Sequence, residues 1–174
     1  MAAVDTSLAE TEAIYQETEA AAAAVTDLIR DLLASSDSTI SFGGSFFWPL
    51  PSNWTYVSSE FGYRTHPIYG DYRFHSGIDI PASSGTSIYA AADGKIILAE
   101  FISGYGNTVM VDHGDGVVSL YGHMSGYGSF GVGSYVVGGD TIGYVGTTGA
   151  STGNHLHFEV RLDGSAVSPW NYLK

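Results

Sequence analysis

Histidine is the side chain of this sequence best suited to metal binding and proton transfer near neutral pH. In two short patterns, candidate ligand residues have the spacing expected for binding one ion. One is His155-Leu156-His157, and the other runs from His75 to Asp79. The six histidines of the chain are His66, His75, His113, His123, His155 and His157. The chemistry these residues indicate is metal-assisted hydrolysis, against the alternative that they are hydrogen-bonded strand histidines without a catalytic role.

The His155-x-His157 pattern predicts two imidazoles on one face of a β-strand. Residues i and i+2 of a strand point to the same side, about 6.6 Å apart. Glu159 continues that face, while the residues between them are apolar and are expected to face the core. One imidazole would bind a metal at about 2 Å. The other would stand close to a metal-bound water or a substrate, and the spacing leaves open which is which.

The segment from His75 to Asp79 is expected to bend. Fully extended, it would place the two Cα atoms about 13 Å apart, too far for tetrahedral ligation of one ion. Gly77 is the residue that would permit the bend. Two imidazoles, one carboxylate and an open position form the layout of a catalytic zinc site, whereas a structural zinc site is usually closed by cysteine. The sequence contains no cysteine.

Residues 1–35 are predicted to form an N-terminal helix. The stretch from Thr6 to Ala34 lacks glycine and proline, and Ser7 and Glu10 have the spacing of a capping box. One helical face is apolar: Val25, Leu28, Ile29, Leu32 and Leu33. We expect a spacer or the tail of a coiled coil, which would self-associate or join an upstream coiled coil. Residues 36–49 are predicted to be a polar, glycine-containing linker.

Residues 50–174 are predicted to form one mainly β, antiparallel domain. Short alternating runs are separated by glycine-centred turns, and the chain contains 23 glycines and 13% aromatic residues. The expected strands cover 94–102, 108–113, 117–123, 140–146 and 155–162. Asp115-Gly116 predicts a tight hairpin, because these residues accept the positive φ that such turns require. His113, beside this turn, is expected to be structural.

The overall charge excludes one class of partner. Eighteen acidic residues against six basic ones give a formal net charge of -12, so DNA or RNA would be repelled. The same charge argues against long-range attraction to an anionic membrane, and no membrane contact is expected, whereas an anionic polymer would have to be recognised by short-range contacts. No apolar run approaches the ~20 residues that span a bilayer. The first residues lack the basic and apolar regions of a signal peptide, so a protein acting outside the cell would come from a longer precursor.

Several blocks in the same order resemble the lysostaphin/LytM-type zinc metallopeptidase family over roughly residues 50–174. The matching blocks are His75-x-Gly77-x-Asp79-Ile80, Gly106-Asn107, Tyr121-Gly122-His123-Met124-Ser125, and Gly149-x-Ser151-Thr152-Gly153-x-His155-Leu156-His157-Phe158-Glu159, with Arg64-Thr65-His66-Pro67 upstream and Val167-x-Pro169-Trp170-Asn171-Tyr172-Leu173 at the end. Asn154 stands where proline is common in the family. Together the blocks are far more specific than either histidine pattern alone.

The resemblance implies a groove between antiparallel sheets, with one zinc ion held by His75, Asp79 and His157. It also implies that His123 and His155 transfer protons and stabilise the oxyanion. The implied substrates are short peptides of bacterial peptidoglycan, in cross-bridges or stems, which places the protein in the cell envelope or outside the cell. His66, Tyr105, Asn107 and Tyr121 are expected to line the groove, and Glu159 to support a ligand.

Two other functions compete with a peptidase. Members of the family that activate another wall hydrolase by contact typically lack some of the metal ligands, whereas all five site residues are present here. A biotin- or lipoyl-carrier domain is suggested by the sequences at 94–96 and 136–143. That class needs a modifiable lysine on a hairpin tip, and the chain has only Lys95 and Lys174. Both alternatives are therefore weaker than the peptidase interpretation.

Overall fold

The architecture is known from a computed structural model that describes residues 2–65 and 70–174, with side chains from residue 8 onward. The described chain contains one α-helix, twelve β-strands and a 3-10 turn at Pro169–Asn171. The elements are α1 (Ala2–Ser35), β1 (Gly62–Thr65), β2 (Tyr72–His75), β3 (Ile78–Pro81), β4 (Ser87–Tyr89), β5 (Gly94–Ile102), β6 (Gly106–Asp112), β7 (Val117–Met124), β8 (Gly126–Tyr127), β9 (Tyr135–Val136), β10 (Thr141–Tyr144), β11 (His155–Leu162) and β12 (Ser165–Val167).

The largest sheet carries three of the six histidines, His123, His155 and His157. Its strand order is β12-β11-β7-β6-β5-β9, and β3 adds to β11 as a seventh strand. A three-stranded sheet, β4-β10-β8, and the β1–β2 hairpin complete the β-structure, and every strand pair is antiparallel. The predicted mainly β, antiparallel fold is thus confirmed. The sheets number three, because the hairpin pairs only within itself in the described chain.

The two faces of the large sheet have different partners. Ile78, Phe158 and Val160 belong to the main core, which they share with Ile88 and Ile142 of the three-stranded sheet. On the opposite face, helix α1 packs in a second cluster: Ala21, Val25, Ile29, Leu98, Tyr105, Met110, Val118 and Leu120. Alternation along each strand separates the two clusters. The three-stranded sheet therefore covers one face of the large sheet, and helix α1 covers the other.

Helix α1 begins before its capping-box pattern, and its apolar face packs within the chain. It begins at Ala2, so Ser7 lies inside the helix. Val25 and Ile29, expected on a coiled-coil face, are almost completely buried against the large sheet. The face predicted for self-association therefore docks on the domain itself. Neither this helix nor the described 3-10 turn is long and apolar enough to span a membrane.

The segment 36–49 is more ordered than a linker. The Phe42 backbone NH donates to Asp115 Oδ2 at 2.9 Å, and Phe46 forms a parallel bridge with Leu173 near the C-terminus. Phe46 is only 1% exposed and belongs to the main core. Burial of an apolar aromatic side chain is more favourable in free energy than its exposure to water in a solvated linker. The expected domain boundary at residue 50 therefore falls inside the packed core.

Candidate metal centre

Pairing of β3 with β11 places a carboxylate beside an imidazole. Asp79 and His157 are direct partners in this antiparallel ladder, so both side chains point to the same face. His157 Nδ1 lies 2.8 Å from Asp79 Oδ1, and His75 Nε2 lies 3.3 Å from the same oxygen. One ligand atom from each of the three residues lies within 4.8 Å of the others. The two patterns found in the sequence therefore converge on one point.

Gly77 is required for this convergence, for a reason other than the expected one. Its φ is not among the positive values of the described glycines, so it is not a left-handed turn residue. A Cβ atom at Gly77 would lie 2.3 Å from the carbonyl oxygen of Phe158 and 2.8 Å from Cγ of Glu159. The absent side chain allows the His75–Asp79 segment to approach β11 closely.

Hydrogen bonds at the far side of each ring orient the two candidate imidazole ligands. His75 Nδ1 lies 2.9 Å from the Glu60 carbonyl oxygen, which can only accept a hydrogen bond. Nδ1 therefore carries a proton, and Nε2 faces Asp79. His157 is bound the other way round, with Nε2 at 2.8 Å from Glu159 Oε1 and Nδ1 facing the site. A partner on the second ring nitrogen is typical of metal-binding histidines.

His123 and His155 complete a cluster of four imidazoles. Their ring centroids are 4.7 Å apart, and His123 lies 5.9 Å from the ring of His157. His123 Nδ1 donates to the Thr148 carbonyl at 2.7 Å, and His155 Nδ1 donates to the Gly153 carbonyl at 2.8 Å. Both rings therefore turn Nε2 to the groove.

The backbone and surroundings of His123 are unusual. Its φ of 59° lies in the left-handed region, which residues other than glycine rarely adopt and which is often found at functional sites. Burial, together with the charges of His157 and His155, lowers the pKa of His123 to about 3. His123 is therefore neutral across the physiological pH range.

Glu159 is the centre of a buried polar network beneath His157. Its carboxylate is fully buried and accepts hydrogen bonds from His157, from the Tyr105 hydroxyl at 2.7 Å, and from Ser76. Arg161 Nε donates to its other oxygen at 2.6 Å. Burial raises the pKa of Glu159, but Arg161 and His157 outweigh that effect and hold the pKa well below its usual range. Glu159 is therefore an ionised acceptor that fixes the ring of His157.

Helix α1 contacts this network from the other side. Arg161 Nη1 donates to Thr26 Oγ1 on the helix at 2.9 Å and to the Gly164 carbonyl at 3.1 Å. The face of β11 that carries His157 also carries Glu159 and Arg161, and helix α1 covers the continuation of that face on β7. The docked helix thus encloses the polar network under the candidate metal ligands.

The candidate ligands hold one another in opposite charge states in the metal-free protein. Burial raises the pKa of Asp79, but hydrogen bonds from His157 and His75 outweigh it, so the pKa lies well below its usual range. Burial lowers the pKa of His157, and the contacts to Asp79 and Glu159 reverse that effect and raise it to about 9. A cation bound between these groups would replace the proton on His157.

A groove opens over the cluster. Its cavity of about 260 Å³ is lined by His75, Asp79, His123 and His155, and also by residues of helix α1 and of the β1–β2 hairpin. The hairpin contributes Arg64 and Arg73. The four lining side chains of the cluster are therefore reachable from solvent through one opening, whose wall is partly made by the helix.

Three residues expected to line the groove do not do so. Tyr105 is 1% exposed and lies under the site, with its ring 5.5 Å from His157 and its hydroxyl on Glu159. Tyr121 is fully buried, and its hydroxyl accepts a hydrogen bond from the Ala91 NH and lies 2.8 Å from Ser119 Oγ. The Asn107 amide donates to the Met124 carbonyl at 3.0 Å, and Asn107 is not among the residues that line this cavity. The large apolar rings of the two tyrosines are more stable when buried, so these side chains are in the interior and not at the groove surface.

The other two histidines are accounted for differently. His66 lies outside the described residues. His113 is fully buried, with Nδ1 at 2.7 Å from the Asp93 carbonyl and Nε2 at 2.7 Å from Ser119 Oγ. Burial lowers the pKa of His113 to about 4, so the ring stays neutral. A neutral, doubly hydrogen-bonded ring in the core agrees with the structural role expected for it.

Two arginines that are central to the structure were not predicted from the sequence. Arg161 continues the i, i+2 series of His155, His157 and Glu159 on β11, and Arg73 precedes His75 by two residues on β2. Strand alternation alone therefore places each on the face of a candidate ligand. A charged residue on the inward face of a buried strand was the available signal.

The chain belongs to peptidase family M23. The model of that family matches residues 73–169, more than half of the chain. The family resemblance seen in the sequence is thereby confirmed. The matched range contains all five candidate site residues.

Two curated relatives illustrate the range of the family. The chain is 48% identical to the DD-carboxypeptidase/endopeptidase Mpg of Neisseria meningitidis over 119 residues, which are 68% of this chain and 27% of that protein. It is 38% identical to the murein hydrolase activator EnvC of Escherichia coli over 130 residues, or 75% of this chain and 29% of that protein. The chain thus spans less than a third of either relative.

Two solved structures share the fold. A zinc-containing peptidase from Vibrio cholerae superimposes with a TM-score of 0.67 at 30% identity, over 72% of this chain and 39% of that one. The catalytic domain of lysostaphin from Staphylococcus simulans superimposes with a TM-score of 0.60 at 32% identity, over 68% of this chain and 90% of that one. These similarities support the peptidase family and its fold, independently of the geometry of the site.

Proposed function

We propose that this domain is a zinc-dependent endopeptidase that hydrolyses peptide bonds of bacterial peptidoglycan, in cross-bridges or stem peptides. The observation that supports this most is the convergence of His75, Asp79 and His157, whose ligand atoms lie within 4.8 Å of one another. Two further imidazoles, His123 and His155, lie beside them in an open groove. A site with three protein ligands and accessible general bases is organised for catalysis.

The donor set fits a single zinc ion. His75 would bind through Nε2, His157 through Nδ1 and Asp79 through a carboxylate oxygen, because the other nitrogen of each ring is held by Glu60 or Glu159. Two nitrogens and one oxygen are common zinc ligands in hydrolases. A zinc ion bound there would polarise a carbonyl group and would lower the pKa of a water molecule towards ~7.

His155 and His123 are the proposed proton carriers. His155 Nε2 lies 3.6 Å from Asp79 Oδ1, which places it beside the ligand group and suits it to take the proton of the attacking water. His123, whose Nδ1 is held by the Thr148 carbonyl, offers a second acceptor on the same side of the groove. Once protonated, either ring can donate to the oxyanion or to the leaving amine.

Glu159 is proposed to fix the orientation and tautomer of His157. Its oxygen accepts from Nε2 of that ring and is held in turn by Tyr105 and Arg161. Such carboxylate partners raise the basicity of a metal-binding imidazole and reduce its freedom to rotate. The proposed site of action is the cell envelope or the outside of the cell, where peptidoglycan is found.

A hydrolase activator is the second candidate function, and similarity to EnvC favours it. Such a protein would act by protein contact and would not need a working metal centre. The complete set of candidate ligands, each with its own hydrogen-bond partner, is the observation that favours a catalyst over an activator.

The proposal is tested by removing one ligand. Asp79→Asn and His157→Ala should each abolish zinc retention, measured as zinc per protein by mass spectrometry, and should abolish clearing of purified peptidoglycan. Asp31→Asn, on the exposed face of helix α1, is the matched control and should change neither. Mass spectrometry of the released fragments would identify the bond that is cut.

The outcome also separates the two candidate functions. A protein that binds zinc but releases no fragments from any purified peptidoglycan, and that stimulates a second hydrolase, would be an activator. Full clearing by Asp79→Asn would contradict the proposed role of the metal centre.

A further inference from the structure

Two of the six basic residues of this acidic chain face each other in the groove. Arg64 of β1 and Arg73 of β2 are direct partners in the antiparallel hairpin, so their side chains point to the same face. Both line the cavity that contains His75, Asp79 and His155. Like charges directly opposite each other destabilise a strand pair unless an anion lies between or beside them.

Helix α1 delivers such an anion from a distant part of the chain. Arg73 Nη2 donates to both carboxylate oxygens of Glu12, at 2.7 and 2.8 Å, and to Asp71 Oδ2 at 3.0 Å. Asp71 is adjacent in the chain, whereas Glu12 lies 61 residues away. The ring of Tyr15 lies 5.3 Å from the guanidinium of Arg73 and 5.6 Å from that of Arg64. One turn of the helix thus presents both a carboxylate and an aromatic ring to the two arginines.

The arginines lie at a defined distance from the metal centre. Arg73 and His75 are buried, alternate residues of β2, which places their side chains on one face about 6.6 Å apart. That is also the spacing of alternate residues in an extended peptide. A peptide lying along the groove with its scissile bond at the metal centre would therefore place a group about two residues away beside Arg73.

We propose that Arg73, assisted by Arg64, is a carboxylate-binding subsite for an acidic peptide substrate, and that Glu12 occupies this subsite when helix α1 is docked. The inference rests on the proposed function. It specifies the substrate as a peptide with a free carboxylate about two residues from the cleaved bond. Productive binding then requires that the first part of helix α1 leave the groove, while its apolar second half stays packed on the large sheet.

Charge is the basis of the expected selectivity. Guanidinium–carboxylate hydrogen bonds are shorter and stronger than those to a neutral amide. A substrate whose carboxylate is converted to a carboxamide would leave the paired arginines without an incoming counter-ion and would not compete with Glu12. The same peptide in its acidic form would displace Glu12 by exchange of one carboxylate for another.

The test uses Glu12→Gln in the full chain, with Glu10→Gln as the matched control. Glu10 is exposed on the same helix, two residues away. Two probes are compared: a synthetic stem pentapeptide with free carboxylates and the same peptide with those groups as carboxamides. Affinity is measured by calorimetry on zinc-depleted protein, so that binding is read without hydrolysis, and KM and kcat are measured on the zinc-loaded protein.

Glu12→Gln should bind the acidic peptide about tenfold more tightly than the unaltered protein does and lower its KM to a similar extent, with kcat unchanged. Affinity for the carboxamide peptide should change far less, and Glu10→Gln should behave as the unaltered protein. Arg73→Gln should remove the preference for the acidic peptide, with circular dichroism and thermal melting as the check on folding.

Equal affinity of Glu12→Gln and the unaltered protein for the acidic peptide would overturn the inference. An equal gain for both peptides would also overturn it, because the helix would then block the groove by its bulk alone. Selective binding without any hydrolysis would support the carboxylate subsite while contradicting the endopeptidase proposal, so the two failures are distinguishable.

Discussion

At the scale of single residues, the four imidazoles of the groove differ in what holds the second ring nitrogen. Backbone carbonyls hold Nδ1 of His75, His123 and His155, whereas a buried carboxylate holds Nε2 of His157. A carbonyl oxygen only accepts, so each of the three carbonyl contacts places a proton on Nδ1 and turns Nε2 to the site. The inward nitrogens of all four rings then face one small volume, which is the basis of the proposed division into ligands and proton carriers.

His123 offers a sharp test of that division. Asparagine tolerates the left-handed backbone that His123 adopts, so His123→Asn removes the imidazole at little structural cost. We expect this variant to keep its zinc and to lose turnover by about 100- to 10,000-fold, the usual contribution of a general acid–base group. Zinc content and the rate of peptidoglycan clearing are the measurements. A variant that hydrolyses at the normal rate would show that His123 has no role in proton transfer.

The charge of His157 predicts how zinc binding depends on pH. In the metal-free protein the pKa of His157 is about 9, raised from 6.5 by Asp79 and Glu159 against the effect of burial. Below pH 9 zinc must therefore displace a proton, so its affinity should rise about tenfold per pH unit from about pH 6.5 to 9. Competition with a chromophoric chelator measures this. An affinity that stays constant over that range would contradict the protonated state.

The raised pKa of His157 also predicts how the stability of the metal-free protein depends on pH. Because the folded pKa lies above the unfolded value, the contribution of His157 to stability is fully present below about pH 6.5 and is lost as the pH rises through about 9. Acid stabilises the proton-bound site and alkali favours the zinc-bound one. Hydrolysis should accordingly fall on acidification, since protonated imidazoles do not bind zinc.

At the scale of elements, β11 organises the site because its alternate side chains have opposite surroundings. His155, His157, Glu159 and Arg161 share one face, while the residues between them enter the main core. The alternation was readable in the sequence. The pairing of β11 with β3 was not, because it joins residues 74 to 80 positions apart and depends on close approach at Gly77.

Gly77→Ala tests that close approach. The added methyl group would overlap the Phe158 carbonyl oxygen, at 2.3 Å, and force β3 away from β11. We expect a loss of about 1–3 kcal/mol or more in the free energy of unfolding, measured in urea, and a loss of zinc affinity. Gly153→Ala is the matched control, since a Cβ there meets nothing within 4 Å. If the two variants are equally stable, the steric role assigned to Gly77 is wrong.

At the scale of the whole molecule, the net charge of the chain is opposite in sign to the two arginines in the groove. The chain has a formal net charge of -12, yet the groove contains two of its six basic residues. An anionic wall polymer is therefore repelled at long range, while a carboxylate that reaches the groove meets a local positive group. Recognition would depend on short-range contacts rather than on electrostatic steering.

Salt dependence should reveal this arrangement. Raising the ionic strength from about 10 mM to about 100 mM shortens the Debye length from about 30 Å to about 10 Å and screens the long-range repulsion. We expect clearing of intact peptidoglycan to accelerate several-fold over this range, with a smaller change for a soluble stem peptide. Turbidity and peptide-release assays at matched zinc concentrations measure both rates. Slower clearing at higher salt would indicate attraction instead.

Residue types and strand alternation determined a large part of this protein from the sequence alone. They predicted an N-terminal helix, an antiparallel β-domain, and the grouping of Glu159 with His155 and His157 on one face. Such features are local, because the period of a strand or helix is set by backbone geometry over a few residues. The blocks around the same residues also identified the family, which the family match confirms.

Only the tertiary structure decided which groups meet. It placed Tyr105 and Tyr121 in buried clusters rather than in the groove, packed the apolar face of helix α1 on the large sheet, and paired Glu12 with Arg73. These contacts join residues far apart in the chain, and long-range packing chooses among many possible partners of similar chemistry. Local spacing carries no information about that choice, so the groove wall formed by the helix could not be read from the sequence.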